Sequence, residues 1–237
     1  MSGARHRKLA MLNLALFDLD HTLLPLDSDH AWGQFSVKIG WRDPETFAQA
    51  NTAFYEQYKS GTLDIHAYVR FATQALRDLR GDVATQAAAA HAEFMASVIT
   101  PAIRPSALTL IDKHKAAGDI LILVTATNSF VTAPIAKAFG IEHLIAVDLV
   151  LDANGIPNGD IDGVPSFREG KVTRVEQWLG ERKLTWGDVS RSAFYTDSIN
   201  DLPLMERVTH PVATNPDPNL RAIAQTRGWP VLELFND

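Results

Sequence analysis

The sequence predicts a parallel α/β sheet wound on both sides and interrupted after its first strand by an all-helical segment. Three observations predict it. From about residue 101 onward, short apolar, β-branched runs alternate with helical patterns, which implies strands paired in parallel with helices on both faces. One further run, Leu12–Phe17, stands alone near the start, and the stretch 27–99 after it carries no strand signal. Acidic, hydroxyl and amide residues fall just after several of these runs, at the strand ends where such sheets bind ligands.

Leu12–Phe17 is short, apolar and stopped by acidic and turn residues, as a buried strand should be. The insertion reads as roughly four helices. Asp29, Asp43, Thr62 and Asp82 stand at N-cap positions, Pro44 suits a first helical turn, and Phe47, Ala50, Phe54 and Tyr58 recur at helical spacing. Pro101 and Pro105 end it. Helix 107–117 closes on Gly118, 120–124 is a strand, and helix 130–139 has Gly140 at its C-terminal end. Strand 144–151 leads to Asn154-Gly155, a hairpin signal with Gly159 and Gly163 close by. Helix 171–183, strand 192–195, helix 202–207, strand 211–213, helix 220–226 and a last strand over 228–234 complete the order. The expected organisation is a Rossmann-like core from 1–26 and 101–237, with a helical cap domain at 27–100.

The 237 residues, 46% of them apolar, suffice for one substantial core and a small accessory unit. A net charge of -6 argues against sequence-independent nucleic-acid binding, which needs a basic surface. The absence of cysteine excludes a disulfide framework, a thiolate nucleophile and a cysteine zinc site, and it fits a reducing cytoplasm. The basic start, Arg5 to Lys8, precedes a short apolar run that ends in Asp18-Leu19-Asp20, where a signal peptide would need a small-residue cleavage site. No run approaches the ~18 apolar residues of a membrane span. Met11 is an alternative natural start, with the first ten residues an extension.

The chemistry gathers at strand ends. Asp18 and Asp20 sit two apart after the first strand, and in extended chain i and i+2 face the same way. One carboxylate can attack phosphorus and form an acyl-phosphate, while the other protonates the leaving alkoxide and later activates water. An aspartate pair in this place also serves as turn chemistry. After another strand comes Thr196-Asp197-Ser198-Ile199-Asn200-Asp201. Asp18 and Asp197 can supply two carboxylates to Mg²⁺, with the Asp20 carbonyl as a third ligand and Asn200 and Asp201 orienting that shell. Asp197-Ser198 also reads as a cap for the next short helix. Lys171 opens a helix after Phe167-Arg168-Glu169-Gly170 and can meet a phosphate as a point charge, or stand as an ordinary surface lysine. Thr127, Asn128 and Ser129 precede another helix, where hydroxyl and N–H groups either bind anions or cap the helix.

These four segments, in this order, resemble the haloacid dehalogenase superfamily of phosphohydrolases over nearly the whole chain. Asp18-x-Asp20-x-Thr22 looks like its first motif, Thr127 its second, Lys171 its third and Asp197-x-x-Asn200-Asp201 its fourth. The resemblance implies Asp18 as nucleophile, Asp20 as general acid and base, Thr127 and Lys171 holding the phosphoryl group, and Asp18, Asp20 and Asp197 binding Mg²⁺. An aspartate at the second position of the first motif favours phosphatases over true dehalogenases. The helical insertion, the hairpin over 152–163 and Asn200-Asp201 resemble the phosphoserine-phosphatase-like branch. Three departures stand out: Thr127-Asn128-Ser129 replaces Ser-Gly-Gly, Thr196-Asp197-Ser198 replaces Gly-Asp-Gly, and Asp27 and Asp29 are the acids nearest to a glutamate that reads the substrate amine.

Asp27, Asp29, His30 and Trp32, at the cap entry, are therefore candidate substrate readers alongside Asn128 and Asn200; capping or cap-core packing accounts equally for Asp29 and Trp32. The acidic pair suits a cationic substrate, such as an amino-alcohol phosphate of the histidinol phosphate or phosphoserine kind. The expected activity is a Mg²⁺-dependent phosphomonoesterase acting on a small phosphate ester, with no nucleic-acid or membrane partner. A phosphotransferase would use the same residues with an alcohol acceptor. A non-enzymatic phosphate-binding module would lack a nucleophile or metal ligand, and here all are present.

Overall fold

A computed structural model describes residues 12–235. The expected basic start and the alternative start at Met11 lie outside the described residues. Six parallel strands form one sheet in the order β3-β2-β1-β6-β7-β8. They are β1 (Leu12–Phe17), β2 (Ile120–Asn128), β3 (His143–Val147), β6 (Val189–Thr196), β7 (His210–Thr214) and β8 (Val231–Leu232). A separate antiparallel hairpin joins β4 (Leu149–Leu151) to β5 (Pro157–Ile161). β1 lies at the centre, with Phe17 beside Leu123 of β2 and Tyr195 of β6. This register brings Asp18 and Asp197, just after β1 and β6, and Thr127, near the end of β2, to one edge.

Alternation along β1 separates two apolar layers. Leu14 and Leu16 face α9 (Glu169–Glu181), α10 (Leu202–Arg207) and α11 (Pro218–Arg227) through Val175, Leu204 and Leu220. Ala15 and Phe17 face the other layer, which holds Ile111 of α7 (Pro105–Ala117) and Ile135 of α8 (Ser129–Ala138). Helices on both faces leave only the strand ends open to ligands.

The insertion contains α1 (Ser28–Lys38), α2 (Pro44–Ser60), α3 (Ile65–Ala72), α4 (Gln74–Asp78) and α5 (Val83–Phe94), which continues through a π turn at Met95–Ile99 into α6 (Thr100–Ala102). Trp32 and Phe35 of α1 and Phe94 of α5 join the same apolar cluster as Phe17 and Leu123. α2 and α3 stand instead over the strand ends. No single helix among the described residues is long and apolar enough to cross a membrane.

Several boundaries differ from expectation for local reasons. Asp27, not Asp29, caps α1 by accepting from the His30 amide. Asp64, not Thr62, caps α3, because Thr62 lies in the turn that closes α2. The strand expected over 144–151 breaks at Asp148, where the chain leaves the main sheet for the hairpin and Asp148 meets Arg174 at 2.5 Å. The last strand is shorter than 228–234, because Gly228 is still the left-handed cap of α11 and Pro230 has no N–H to give a ladder. β2 runs on to Asn128, past the expected end at 124, so Thr127 lies within the strand rather than after it.

Candidate active site

The nucleophile position is built from the strand outward. Asp18 continues β1, its amide donates to the Tyr195 carbonyl at 2.9 Å, and its side chain is buried. Lys171, in the first turn of α9, points inward from the opposite layer. Its Nζ lies 2.8 Å from Asp18 Oδ1 and 2.6 Å from Asp201 Oδ2. Gly170 permits this entry: a Cβ there would stand 2.0 Å from the Pro165 carbonyl oxygen, so no larger residue fits the turn that aims Lys171. Burial alone would lower the Lys171 pKa, but the Asp18 and Asp201 carboxylates outweigh it and hold the ammonium above its ordinary range. Asp201 is pushed up to about 6, chiefly by burial, against the lowering pull of Lys171. The Thr196 hydroxyl also donates to Asp201, at 2.6 Å.

The Thr22 hydroxyl lies between two carboxylates, 3.3 Å from Asp18 Oδ2 and 3.2 Å from Asp197 Oδ1, and accepts from the Asp197 amide at 3.0 Å. Asp20 turns away from this pair. Its oxygens accept from the Ser28 amide and the Thr127 hydroxyl, both at 2.8 Å. Burial first, then Asp27 and Asp18, raise its pKa well above the ordinary carboxylate range.

These groups open into a cavity of about 990 Å³ whose roof is α2 and α3. Phe54, Tyr55 and Tyr58 of α2, and Ile65 and Tyr68 of α3, supply an aromatic and apolar wall. Asp27, Asp29 and His30 line the same cavity near the cap entry. Asp29 is buried and hydrogen-bonded to Tyr68, and burial followed by repulsion from Asp27 raises its pKa to about 7. The Arg42 guanidinium pulls the other way but is outweighed, and no lysine or arginine forms a salt bridge with Asp29 among the described residues. Asn51 Nδ2 lies 2.9 Å from His30 Nδ1.

The structure therefore brings Asp18, Asp20, Thr127, Lys171, Asp197, Asn200, Asp201, Asp27 and Asp29 to one cavity. Two expected residues go elsewhere. Trp32 is 2% exposed and packs against Phe35, Trp41, His91, Phe94 and Phe130, so it is core and not a substrate reader. Asn128 does not line the cavity; its Oδ1 caps α8 at the Val131 amide, and its Nδ2 meets Asp29 Oδ1 at 3.3 Å. Asp29 is not a helix cap, and that frees its carboxylate for the cavity. Tyr58, Tyr68 and Thr196 were missed, the first two because an aromatic at helical spacing reads as packing until the helix is placed over the site. Arg168 was also passed over as a group in its own right, although its place beside Lys171 was visible.

Among the described residues no group of three His, Asp or Glu side chains forms a metal cage. Mg²⁺ binds through one or two carboxylates and otherwise keeps water and substrate oxygens. Asp18 and Asp197, facing each other across the Thr22 hydroxyl, are such a pair, all-oxygen and hard. The Asp20 carboxylate is engaged elsewhere, so a contribution from that residue falls to its backbone carbonyl.

Fold and site together place a cluster of buried carboxylates at the strand ends of a parallel, doubly wound sheet. Residues 15–206 match the family described as haloacid dehalogenase-like hydrolase, and the chain belongs to that family. It is 42% identical over 224 residues to a histidinol-phosphatase of Neisseria meningitidis serogroup C (strain 8013), spanning 94% of this chain and 100% of that protein. It is 29% identical over 223 residues to a phosphoserine phosphatase of Mycobacterium tuberculosis, covering 93% of this chain and 70% of the relative. Among solved structures, a protein of unknown function from Bordetella pertussis Tohama I aligns with a TM-score of 0.88 at 50% identity, over 95% of this chain and 100% of that one. A substrate-bound phosphoserine phosphatase shares the fold, with a TM-score of 0.64 at 16% identity over 93% and 92% of the two chains.

Proposed function

We propose that the chain is a Mg²⁺-dependent phosphatase that hydrolyses a small phosphate monoester through an aspartyl-phosphate on Asp18, and that it works in the cytoplasm. The observation that carries this reading is the convergence of Asp18, Asp20, Thr127, Lys171 and Asp197, from four distant segments, on one roofed cavity. In the first step the Asp18 carboxylate attacks phosphorus and the bond to the alcohol oxygen breaks. Asp20 gives its proton to that oxygen. The raised pKa favours the protonated form a general acid requires. In the second step Asp20, now a carboxylate, takes a proton from water as the water attacks phosphorus, releasing phosphate and restoring Asp18. Lys171 balances charge at Asp18, and Thr127 holds Asp20 in place. Asp18 and Asp197, with the Asp20 carbonyl, would hold Mg²⁺, which when bound would offset the negative charge of the phosphoryl oxygens.

The helices over the cavity act as a cap, drawn at 27–100, that excludes bulk water and bulky substrates. At the cap end Asp27 and Asp29 suit an ammonium group, and the aromatic wall suits an apolar or ring-bearing body. Histidinol phosphate has both features and phosphoserine has the first, so an amino-alcohol phosphate is the proposed substrate class. A phosphate-release screen over small phosphomonoesters with Mg²⁺ tests this. The expected result is a preference for amine-bearing esters; equal rates on neutral esters of the same size would remove the cationic reading, and no release from any ester would remove the phosphatase.

A further inference from the structure

Arg168 holds a backbone conformation that side chains avoid, with φ 52 and ψ -123. It is the second residue of a tight turn closed by the Gly170 amide on the Phe167 carbonyl at 2.9 Å. Glycine adopts this region freely, whereas any Cβ crowds its own backbone, so a non-glycine residue persists only where its surroundings hold it. What holds Arg168 is a bridge from core to cap. Its Nη2 donates to the Gly61 carbonyl at 2.8 Å and its Nε lies 3.4 Å from Asn200 Oδ1, with the guanidinium over the Phe167 ring. Gly61 is the left-handed cap of α2, and a Cβ there would stand 3.0 Å from Arg168 Nη2. The left-handed φ of 74 favours glycine at position 61, and the missing Cβ leaves room for the guanidinium. A cation at this point also meets the negative end of a 17-residue helix. One turn earlier on α2, the Tyr58 hydroxyl lies 2.9 Å from Ser198 Oγ, next to Asp197.

We propose that Arg168 is a positioning residue, a latch that holds the C-terminal end of α2 against the core and so keeps the cap closed over Asp18. The proposal rests on the phosphatase reading of this site. Arg168 acts through Gly61 and Asn200, not on the substrate. The strained turn makes the latch reversible, because the conformation is favoured only while the guanidinium bonds are made.

The test compares Arg168→Gly, which removes the guanidinium and supplies the residue the backbone suits, with Arg168→Lys, which keeps the charge but loses the planar fork. Arg168→Gly should melt no lower than wild type. Amide hydrogen exchange over 58–64 should rise by about tenfold while the central strands stay protected. KM for p-nitrophenyl phosphate with Mg²⁺ should also rise by about tenfold, the scale of a lost charged hydrogen bond, with kcat changed much less. Arg168→Lys should fall between the two. Unchanged exchange over 58–64 would overturn the latch. So would a lower melting temperature with exchange raised throughout the chain, because Arg168 would then hold the fold and not the cap. If wild type releases no phosphate from any ester, the phosphatase reading fails, and the exchange comparison still decides the latch.

Discussion

The two ends of the cavity differ in how their carboxylates are balanced. At the sheet edge, Lys171 sits between Asp18 and Asp201 at 2.8 and 2.6 Å, so two of the buried acids share a fixed cation. At the cap entry, Asp29 is equally buried, its hydrogen-bond partners Tyr68 and Asn128 are neutral, and burial with repulsion from Asp27 outweighs the pull of the Arg42 guanidinium, so its pKa rises to about 7. A buried carboxyl with no cation bonded to it avoids the cost of its charge by staying protonated to higher pH, and a cationic ligand group placed beside it would favour the carboxylate. The sheet edge thus carries its own cation, and in the proposed reading the cap entry takes a cationic group from the substrate.

Substitutions at the sheet edge should have the largest effects. Asp18→Asn removes the nucleophile, and turnover of p-nitrophenyl phosphate with Mg²⁺ should fall below detection; a wild-type rate would break the mechanism. Chelation with EDTA should abolish activity and added Mg²⁺ restore it, whereas full activity in chelator would rule out the metal role. Asp20→Asn removes the proton donor, and kcat should drop by about 10²–10⁴-fold.

At the cap entry the effect is smaller and has two signs. Asp29→Asn should lower kcat/KM for an amine-bearing ester by about tenfold while leaving a neutral aryl ester within about twofold, the scale of one lost charged contact. It should also stabilise the protein at alkaline pH. The Asp29 carboxyl is raised from 3.8 to about 7 on folding, so its contribution to stability is full below about pH 4 and is lost as pH rises through 7. Asparagine does not ionise, so thermal denaturation should show a gain of about 2–4 kcal/mol at pH 8 and none at pH 4. No gain at pH 8 would mean that Arg42 offsets the burial of the Asp29 carboxylate in full. The smallest effect is expected for Asn128→Ala, a lost helix cap worth about 1 kcal/mol, with KM for a neutral aryl ester unchanged because the side chain does not line the cavity.

The parts of the molecule governed by local rules were legible in the sequence. The end of β1 at Phe17 was legible because apolar strand and acidic stop are adjacent, and Asp43 with Pro44 marked the start of α2. The reactive groups were legible because strand ends of a parallel sheet meet at one edge wherever they fall in the chain. What failed depended on tertiary placement. Asp27 and Asp29 are both fit to cap α1, and the helix begins at Ser28 because the Ser28 amide is held by Asp20 and the His30 amide by Asp27. Trp32 near a motif looked like a reader, yet the helix turns it into the cluster around Phe94. Tyr58 and Tyr68 meet Ser198 and Asp29 only because α2 and α3 lie over the strand ends, a position no local pattern encodes.

The central claim, covalent catalysis by Asp18, is tested most directly by quenching the enzyme in acid during turnover of p-nitrophenyl phosphate with Mg²⁺ and mapping phosphorylated peptides by mass spectrometry. The expected result is a hydroxylamine-sensitive phosphoryl group on Asp18, absent from Asp18→Asn. Phosphate release with the label on another residue, or on none, would contradict it.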